Sequence, residues 1–564
     1  MSSPTTTSAP ATMAGAQAVV AALLRSGITC GFGIPSIHNI PVYECLRQTP
    51  QFQHWVVRHE QAAGFAADGF YRRSGRVAAV FASTGPGNLF TLVPLLECLQ
   101  SNTPALVIGS NIASSLQDAS GGALHETPQQ IEIIRPLTRY ARRVTSPDEI
   151  PQTIAEAAEV FQGTLPGPAF IEIPHDFLAA PVNAAFPAAR QARFSPASDG
   201  DLAQAAALLK GSRRPVVLIG SGIHSGVSDV RKLADLLRAP VATTTSGKGM
   251  FPDDHPLALG CISQLGTVRE VFAQSDLLIS FGARLTEFDT GRYSLALPPR
   301  HIQVVEDPAY PGTRIVPTVQ VVSEVGAVAA ALAEQALSSG GWCDVAAIKA
   351  EARKKLESLN ADAYSALVLL RESLSREDVI ANDQSILNYW ASAFLPVYER
   401  GTFLYPYGSG TLGYGLPAAI GAACAMRQAG NERKVVCIAG DGGFQYTHHE
   451  LATLAQYGLP VKVLLVNDHA YGVIGFLQRT LFGQVHEVAL KNPDFCRLAE
   501  AYGIRGVRVR TFSELKQNLR AWLDSPGPAL LEWQTDLKAP WEAGAISRPA
   551  SITPVQKPQG PQTT

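Results

Sequence analysis

Short apolar runs that end near glycine, serine or threonine alternate along most of the chain with stretches of helical period. Examples are VAAVFAST, PVVLIGS and KVVCIAG. A strand that is apolar on both faces suits the interior of a parallel sheet, because the helices between successive strands cover both faces. The alternation therefore predicts an α/β fold built from doubly wound parallel sheets.

Linkers divide this pattern into three blocks. At 564 residues the chain is too long for one ordinary hydrophobic core, which suggests three domains. A Pro/Ala-rich stretch follows the first block, and the charged segment KAEARKKLESL precedes the third. We predict three domains and two disordered tails. The domains cover residues 15–180, 197–337 and 372–544, and the tails cover residues 1–14 and 545–564.

Composition and charge exclude several classes of function. Hydrophobic residues make up 46% and charged residues 17% of the chain, as in a soluble globular protein. The net charge of -2, without a basic stripe, argues against nucleic acid as a partner. We find no signal peptide, no apolar stretch of membrane-spanning length and no CxxC pair among the eight cysteines. The sequence therefore predicts a cytoplasmic protein with no membrane partner.

Two predicted strands of the third block end in acidic residues. The strand KVVCIAG is followed by Asp441, Gly442 and Gly443, and the strand VKVLLVN is followed by Asp468. If the strands are neighbours, both carboxylates lie at one sheet edge, where glycines let the main chain approach a diphosphate. Mg²⁺ commonly shares its oxygen ligands between carboxylates and phosphates. The pair indicates a magnesium-diphosphate site, whereas Asp-Gly alone is also typical of a simple turn.

These segments resemble the GDG…NN motif of thiamine diphosphate enzymes, and VVRHEQAAGFAADGFYRRSG resembles the RHEQ element of the same family. The resemblance covers about residues 15–533. It implies that Glu60 is the catalytic glutamate beside the aminopyrimidine ring. It also implies that the metal ligands are Asp441, Asp468 and the main-chain carbonyl of Ala470. Asp468 departs from the usual asparagine but is still an oxygen ligand.

Two further segments resemble cofactor-binding loops of the family. STGPGN matches the glycine loop beside the pyrimidine, and GSGTLGYGLPAAIGA matches the segment that grips the ring through main-chain atoms. Leu412 takes the position of the apolar residue that bends the cofactor. The resemblance thus implies that the cofactor contacts Glu60, Thr84, Gly85, Pro86, Gly87, Gly410, Leu412, Asp441, Gly442, Gly443 and Asp468.

The domain order resembles that of acetolactate synthases, benzaldehyde lyase and 2-oxo acid decarboxylases. We name the three domains pyrimidine-binding, middle and diphosphate-binding after that group. In this group the glutamate and the diphosphate site come from different subunits. The resemblance therefore implies a homodimer as the minimum functional unit, and a homotetramer is common.

The segments GIPSIH and LHETPQQ bear on the substrate. His38 resembles the active-site histidine of benzaldehyde lyase, and His125 aligns with the active-site glutamine of that enzyme and of acetolactate synthases. Both segments are also similar to guanidino-oxopentanoate decarboxylases. Leu477 replaces the tryptophan of acetolactate synthases, and Ile474 replaces the glutamate of pyruvate decarboxylases. We expect a substrate pocket lined by Ile37, His38, His125, Leu412, Ile474 and Leu477, with His38 and His125 as catalytic proton donors.

The middle block does not favour a second cofactor. Its glycine cluster IGSGIHSG is not followed by the acidic residue that would hold a ribose. GKGMFPDDHP and GARLTEFDTGRY do resemble flavin-domain elements of acetolactate synthases, but Leu265 stands where those enzymes have a histidine. FAD is therefore not favoured. The adjacent pair His448 and His449 is interpreted as helix-surface or packing residues rather than as a metal site.

The sequence as a whole indicates a decarboxylase or carboligase that depends on thiamine diphosphate and Mg²⁺. Its expected substrates are a 2-oxo acid and an aldehyde or second 2-oxo acid as acceptor. The first alternative is a 2-hydroxy ketone lyase of the benzaldehyde lyase type. Alternatives from other classes are a nicotinamide-dependent oxidoreductase, which would need the missing ribose-binding acid, and a non-catalytic relative, which would be expected to lack Glu60 or Asp441.

Overall fold

The chain folds around three six-stranded parallel sheets, each with helices on both faces. This confirms the predicted α/β class and the number of sheets. No helix among the described residues is both long and apolar enough to cross a membrane. The computed structural model describes residues 12–117, 121–183, 185–187, 194–263, 266–309, 315–336 and 341–546.

The first sheet has the strand order β3-β2-β4-β5-β7-β6. Its strands are apolar and largely buried, and α1 and α7 pack together on one face while α3 covers the other. The elements of this domain are β1 (Thr12–Ala14), α1 (Gly15–Arg25), β2 (Cys30–Gly33), α2 (Ile40–Arg47), β3 (Gln53–Val56), α3 (Glu60–Ser74), β4 (Ala79–Ala82), α4 (Pro86–Leu89), α5 (Leu92–Ser101), β5 (Leu106–Asn111), α6 (Gln130–Ile134), β6 (Tyr140–Arg143), α7 (Ile150–Phe161), β7 (Ala169–Pro174) and β8 (Pro181–Asn183).

The second sheet has the strand order β11-β10-β9-β12-β13-β14. Separate hydrophobic clusters fill its two faces. The elements are α8 (Asp199–Lys210), β9 (Pro215–Ile219), α9 (Val227–Leu237), β10 (Val241–Thr243), β11 (Ala258–Cys261), α10 (Thr267–Gln274), β12 (Leu277–Phe281), β13 (His301–Val305), β14 (Val319–Val322) and α11 (Val325–Gln335), followed by the connecting helix α12 (Val345–Ser358).

The third sheet has the strand order β16-β15-β17-β18-β20-β19. The neighbouring strands β17 and β18 supply the two acidic ends identified in the sequence. The elements are α13 (Asp362–Glu372), β15 (Val379–Asn382), α14 (Ile386–Phe394), β16 (Phe403–Leu404), α15 (Gly415–Gln428), β17 (Val435–Gly440), α16 (Asp441–Phe444), α17 (Leu451–Tyr457), β18 (Val461–Asn467), α18 (Gly472–Phe482), α19 (Phe495–Ala501), β19 (Arg505–Val509), α20 (Phe512–Leu523) and β20 (Ala529–Gln534).

The first and third domains share one hydrophobic core through the crossing of α3 and α15. Small residues bring these helices unusually close. A Cβ atom on Gly421 would overlap the carbonyl oxygen of Ala66, and one on Gly69 would overlap that of Ala418. Glycine is therefore required at the crossing, which fixes the first domain against the third within one chain.

The N-terminal tail differs from the sequence prediction. Residues 12–14, assigned above to a disordered tail, form β1 and pair antiparallel with β8, where Met13 lies opposite the buried Val182. A strand this short carries too little periodicity to be recognised from the sequence. The predicted tail segments 1–11 and 547–564 lie outside the described residues.

Candidate active site

A cavity of about 240 Å³ opens at the carboxyl edge of the third sheet, where β17 and β18 end. Gly440 of β17 lies opposite Val466 of β18, so the acidic residues that follow the two strands meet at one edge, as the sequence analysis expected. All the residues that line the cavity belong to the third domain. Those named above as site candidates are Gly410, Leu412, Asp441, Gly442, Gly443, Asp468, Ala470 and Ile474.

Asp441, which is buried, and Asp468, which is half-buried, form a pair of neighbouring carboxylates in this cavity. Burial raises the pKa of Asp441, and burial together with the neighbouring Asp441 raises the pKa of Asp468 to about 7. Asp441 accepts a hydrogen bond of 2.6 Å from the side-chain amide of Asn492, and the main-chain N–H of Ala470 donates to Asp468 at 3.2 Å. Two neighbouring carboxylates that are largely shielded from water repel each other when both are ionised, and a cation bound between them relieves that repulsion. This donor set fits a hard divalent cation such as Mg²⁺.

The segment that carries Gly410 and Leu412 is anchored at its start by the first domain of the same chain. Glu97 of α5 is fully buried and accepts hydrogen bonds from the N–H of Gly408 at 3.1 Å and of Ser409 at 2.7 Å. The Ser409 hydroxyl also donates to Glu97 at 2.7 Å, and Arg72 forms an ion pair with it at 2.8 Å. Glu97 therefore holds the main chain just before the two cofactor-contact candidates.

The far end of the same segment is held by a second buried carboxylate. Asp383 follows β15 and accepts hydrogen bonds from the N–H of Gly413 at 3.1 Å and of Gly415 at 3.0 Å. Burial raises the pKa of Asp383 to about 6. Gly410 and Gly413 have φ angles of +66° and +82°, in the left-handed region. Two anchors and two left-handed glycines thus fix the conformation of the segment that carries the candidates Gly410 and Leu412.

We expect Glu97→Gln to weaken thiamine diphosphate binding about tenfold and to destabilise the fold by about 3 kcal/mol. The substitution leaves the buried Arg72 with one anionic partner fewer and replaces one acceptor oxygen with an amide donor. Calorimetric titration and urea denaturation measure the two effects. Glu44→Gln, on the exposed face of α2, is the control and should change neither quantity. Unchanged affinity in the Glu97 variant would contradict the anchoring role.

Glu60 is the first residue of α3 and is half-buried. The preceding His59 caps the helix, because its ring Nδ1 accepts a hydrogen bond from the N–H of Gln61 at 3.2 Å. The Glu60 carboxylate faces Gly87, on which a Cβ atom would lie 3.0 Å from Oε1. Burial is the main cause of the raised pKa of Tyr43, and the Glu60 charge adds to it. Glu60 therefore lies against the glycine loop, with a neutral phenol nearby.

The glycine loop itself is held by a buried polar network. Gly85 has a φ angle of +65°, and its N–H donates to the side-chain oxygen of Gln130 at 2.7 Å. The amide of Gln130 in turn donates to the fully buried Glu172 at 2.9 Å. Thr84 is also fully buried, and Pro86 begins α4. Gln130 and Glu172 position the loop, although the sequence analysis did not identify either of them.

Three histidines meet beside this loop. The ring of His38 lies with its centroid 5.2 Å from that of His125 and 5.3 Å from that of His175. His125 has a φ angle of +65°, and a Cβ atom on Gly85 would overlap its carbonyl oxygen. His175 follows β7 directly and was missed in the sequence. Its position after a predicted strand of the parallel sheet was the available signal.

Within one chain the candidates fall into two groups. Glu60, the glycine loop and the histidines belong to the first domain, whereas the metal-ligand candidates line the cavity of the third domain. Ile37 and Ile474 are 62% and 48% exposed, and Leu477 lies half-buried on α18 without lining the cavity. In a single chain, therefore, the two groups do not form one closed site, and an exposed apolar side chain lies near each of them.

The sequence also singled out the histidine pair His448 and His449, and Leu265 in the middle domain. The ring of His449 packs 5.9 Å from that of His59 and 6.0 Å from that of His448, in agreement with a packing role. The glycines themselves lie in the short helix α16, and the longer helix α17 begins at Leu451. Leu265, the basis of the flavin argument, lies outside the described residues.

Three family models match successive parts of the chain. The N-terminal TPP binding domain of thiamine pyrophosphate enzymes matches residues 13–133, the central domain of these enzymes matches 202–332, and their C-terminal TPP binding domain matches 384–533. Thiamine pyrophosphate is another name for thiamine diphosphate. The matched segments fall within the three structural domains described above.

Curated relatives match over almost their full lengths. The chain is 34% identical to the probable 2-ketoarginine decarboxylase AruI of Pseudomonas aeruginosa, over 92% of this chain and 94% of that protein. It is 31% identical to the probable acetolactate synthase large subunit of Methanocaldococcus jannaschii, over 92% and 91%. It is 30% identical to the acetolactate synthase isozyme 1 large subunit of Escherichia coli, over 95% and 96%.

The fold, the carboxylate pair and these matches define a thiamine diphosphate-dependent enzyme that forms or cleaves carbon–carbon bonds. Within that class, the chain belongs to the thiamine pyrophosphate enzyme family with acetolactate synthase-like sequence.

Proposed function

We propose that this protein is a magnesium- and thiamine diphosphate-dependent decarboxylase and carboligase that acts on 2-oxo acids. The observation that carries the proposal is the neighbouring carboxylate pair Asp441 and Asp468 in a cavity also lined by glycines, a donor set that fits a divalent cation. Decarboxylase and acetolactate synthase are the activities in the names of the relatives, and 2-ketoarginine, in the first of these names, is a 2-oxo acid.

The residues of the third domain would hold the diphosphate end of the cofactor. In this proposal Asp441, Asp468 and the carbonyl of Ala470 bind Mg²⁺, and the main chain at Gly442 and Gly443 lies against the diphosphate. Asp383 and Glu97 hold the segment that bears Gly410 and Leu412. When bound, the cofactor supplies an electron sink that stabilises the negative charge left on the carbonyl carbon after carbon dioxide departs.

The residues of the first domain would complete the site from a second subunit. The cavity with Asp441 is lined by the third domain alone, while Glu60 lies in the first domain against Gly87. Each group has exposed apolar residues beside it, Ile37 and Ile474. These observations support a homodimer, or a homotetramer built from such dimers, in which Glu60 of one chain serves the cavity of its partner.

Glu60 would exchange a proton with the aminopyrimidine end of the cofactor. His38 and His125 would donate protons on the substrate side. Ile474, which lines the cavity, and Leu477, three residues further along α18, would make the opposite wall apolar once a second subunit completes the site, which excludes water and leaves room for an acceptor. We propose that the enzyme both releases an aldehyde and ligates the acyl unit to an aldehyde or second 2-oxo acid. FAD is not part of the proposal.

The function is tested by incubating the cofactor-loaded protein with a panel of 2-oxo acids, with and without aldehyde acceptors, and identifying the products by mass spectrometry. Carbon dioxide and an aldehyde or 2-hydroxy ketone are expected. Cleavage of 2-hydroxy ketones without turnover of any 2-oxo acid would favour the lyase alternative. Reduction of a nicotinamide cofactor would instead support an oxidoreductase.

We expect His125→Asn to lower aldehyde release more than ligation, because it removes a proton donor from the substrate side. Asparagine is chosen because it tolerates the left-handed backbone of His125, where alanine would add strain. The ratio of the two products at saturating substrate measures the effect. If both product channels fall by the same factor, His125 acts before the two reactions diverge, and its role as proton donor at the branch is wrong.

A further inference from the structure

His38 presents a buried polar atom that nothing in the described part of the chain satisfies. The residue is only 6% exposed, and its ring Nδ1 has no hydrogen-bond partner there. A buried imidazole nitrogen without a partner costs free energy, so such atoms generally mark a place where water or a ligand binds. The side chain lies beside the glycine loop that faces Glu60, and therefore on the substrate side of the proposed site.

Imidazoles rather than carboxylates surround His38. Burial first, and then the nearby rings of His175 and His125, lower the pKa of His38, so the ring is neutral near pH 7. The neighbouring acidic side chains are engaged elsewhere. Asp176 accepts hydrogen bonds from the N–H and hydroxyl of Ser114 at 2.9 and 2.6 Å.

The acidic residue next to His125 is likewise engaged. Glu126 accepts hydrogen bonds from the N–H groups of Gly122 and Ala123 at 2.7 and 3.0 Å. Neither Asp176 nor Glu126 is therefore free to stabilise a cationic ligand beside His38. Three imidazole rings in these surroundings suit an anion instead, since a bound anion favours protonation of the rings and receives their hydrogen bonds.

We propose that His175 is a further specificity-determining residue, and that His38, His125 and His175 together bind the carboxylate of the 2-oxo acid substrate. The inference rests on the proposed function. It adds His175 as a substrate contact that the sequence did not indicate. It also gives the unpartnered Nδ1 of His38 a hydrogen-bond partner, the substrate carboxylate. Because the three rings share one ligand, loss of His175 weakens binding of the anion even though His38 and His125 remain.

Oxamate is a suitable probe, because it carries the carboxylate and adjacent carbonyl of a 2-oxo acid. It is titrated calorimetrically into the protein loaded with thiamine diphosphate and Mg²⁺, in two buffers of different ionisation enthalpy. The difference between the buffers gives the protons taken up on binding. We expect net proton uptake near pH 7.5 with oxamate. Oxamide, the uncharged analogue, should produce none.

His175→Gln should weaken oxamate binding about tenfold and reduce the proton uptake, while thiamine diphosphate affinity stays unchanged. His486→Gln, at an exposed histidine whose side chain is 85% accessible, is the matched control and should behave as the wild type. Wild-type affinity and uptake in the His175 variant would overturn the inference. So would oxamate binding without proton uptake in the wild type, a result that needs no variant to fold. Failure of the wild type to bind thiamine diphosphate would instead contradict the proposed function.

Discussion

Glu60→Gln is expected to lower turnover of 2-oxo acids by about three orders of magnitude while leaving magnesium-dependent cofactor binding almost intact. Glutamine matches glutamate in size and keeps one acceptor oxygen, so the contact with Gly87 is preserved. It cannot exchange a proton, however, and the proposed role of Glu60 is proton exchange with the aminopyrimidine end of the cofactor. Steady-state kinetics and calorimetric titration with thiamine diphosphate separate the two effects.

The controls for Glu60 address folding and cofactor affinity. Glu500→Gln, on the exposed face of α19, changes a surface carboxylate in the same way and should retain full activity. A Glu60 variant with near wild-type turnover would refute the assignment. A variant that loses thiamine diphosphate affinity as well as turnover would show that Glu60 contributes to binding, and the proposed role in proton exchange alone would then be wrong.

The fold class could be predicted from the sequence because the pattern that indicates it, an apolar strand followed by a helix, recurs along the chain. Each parallel strand is buried on both faces and therefore appears as a continuous apolar run. The same rule predicted that Asp441 and Asp468 meet, since residues that follow neighbouring parallel strands share one sheet edge, and β17 does pair with β18. The resemblance to thiamine diphosphate enzymes added Glu60 and the loops, whose roles remain predictions.

Contacts between distant segments could not be predicted in this way. Glu97 resembles any acidic residue of an amphipathic helix, and its hydrogen bonds with Gly408 and Ser409 join the first domain to the third. His175 approaches His38 because β7 and β2 end at the same edge of the first sheet. Such pairs depend on the relative placement of whole elements, whereas local periodicity carries information about one element at a time.

Asp441→Ala is expected to weaken magnesium-dependent binding of thiamine diphosphate by at least a hundredfold, which is about 2.7 kcal/mol. The substitution removes one of the two carboxylates proposed to bind Mg²⁺ and one of the two acceptors of the Asn492 amide, at 2.6 Å, leaving Asn467 at 2.9 Å. Mg²⁺ requires a nearly complete octahedral shell of oxygens, so a lost ligand is poorly replaced. Calorimetric titration with thiamine diphosphate at saturating Mg²⁺ measures the change.

Asp468→Asn is the matched comparison for this prediction, and we expect it to alter cofactor affinity by only about threefold. Asparagine keeps one oxygen donor for the metal and can still accept the hydrogen bond from the N–H of Ala470. It also removes a like charge from beside Asp441, which offsets the weaker attraction of a neutral ligand for Mg²⁺. The unequal response distinguishes a metal site from a merely structural carboxylate pair, for which either substitution would relieve repulsion equally. Tight, magnesium-dependent binding by the Asp441 variant would contradict the proposed metal site.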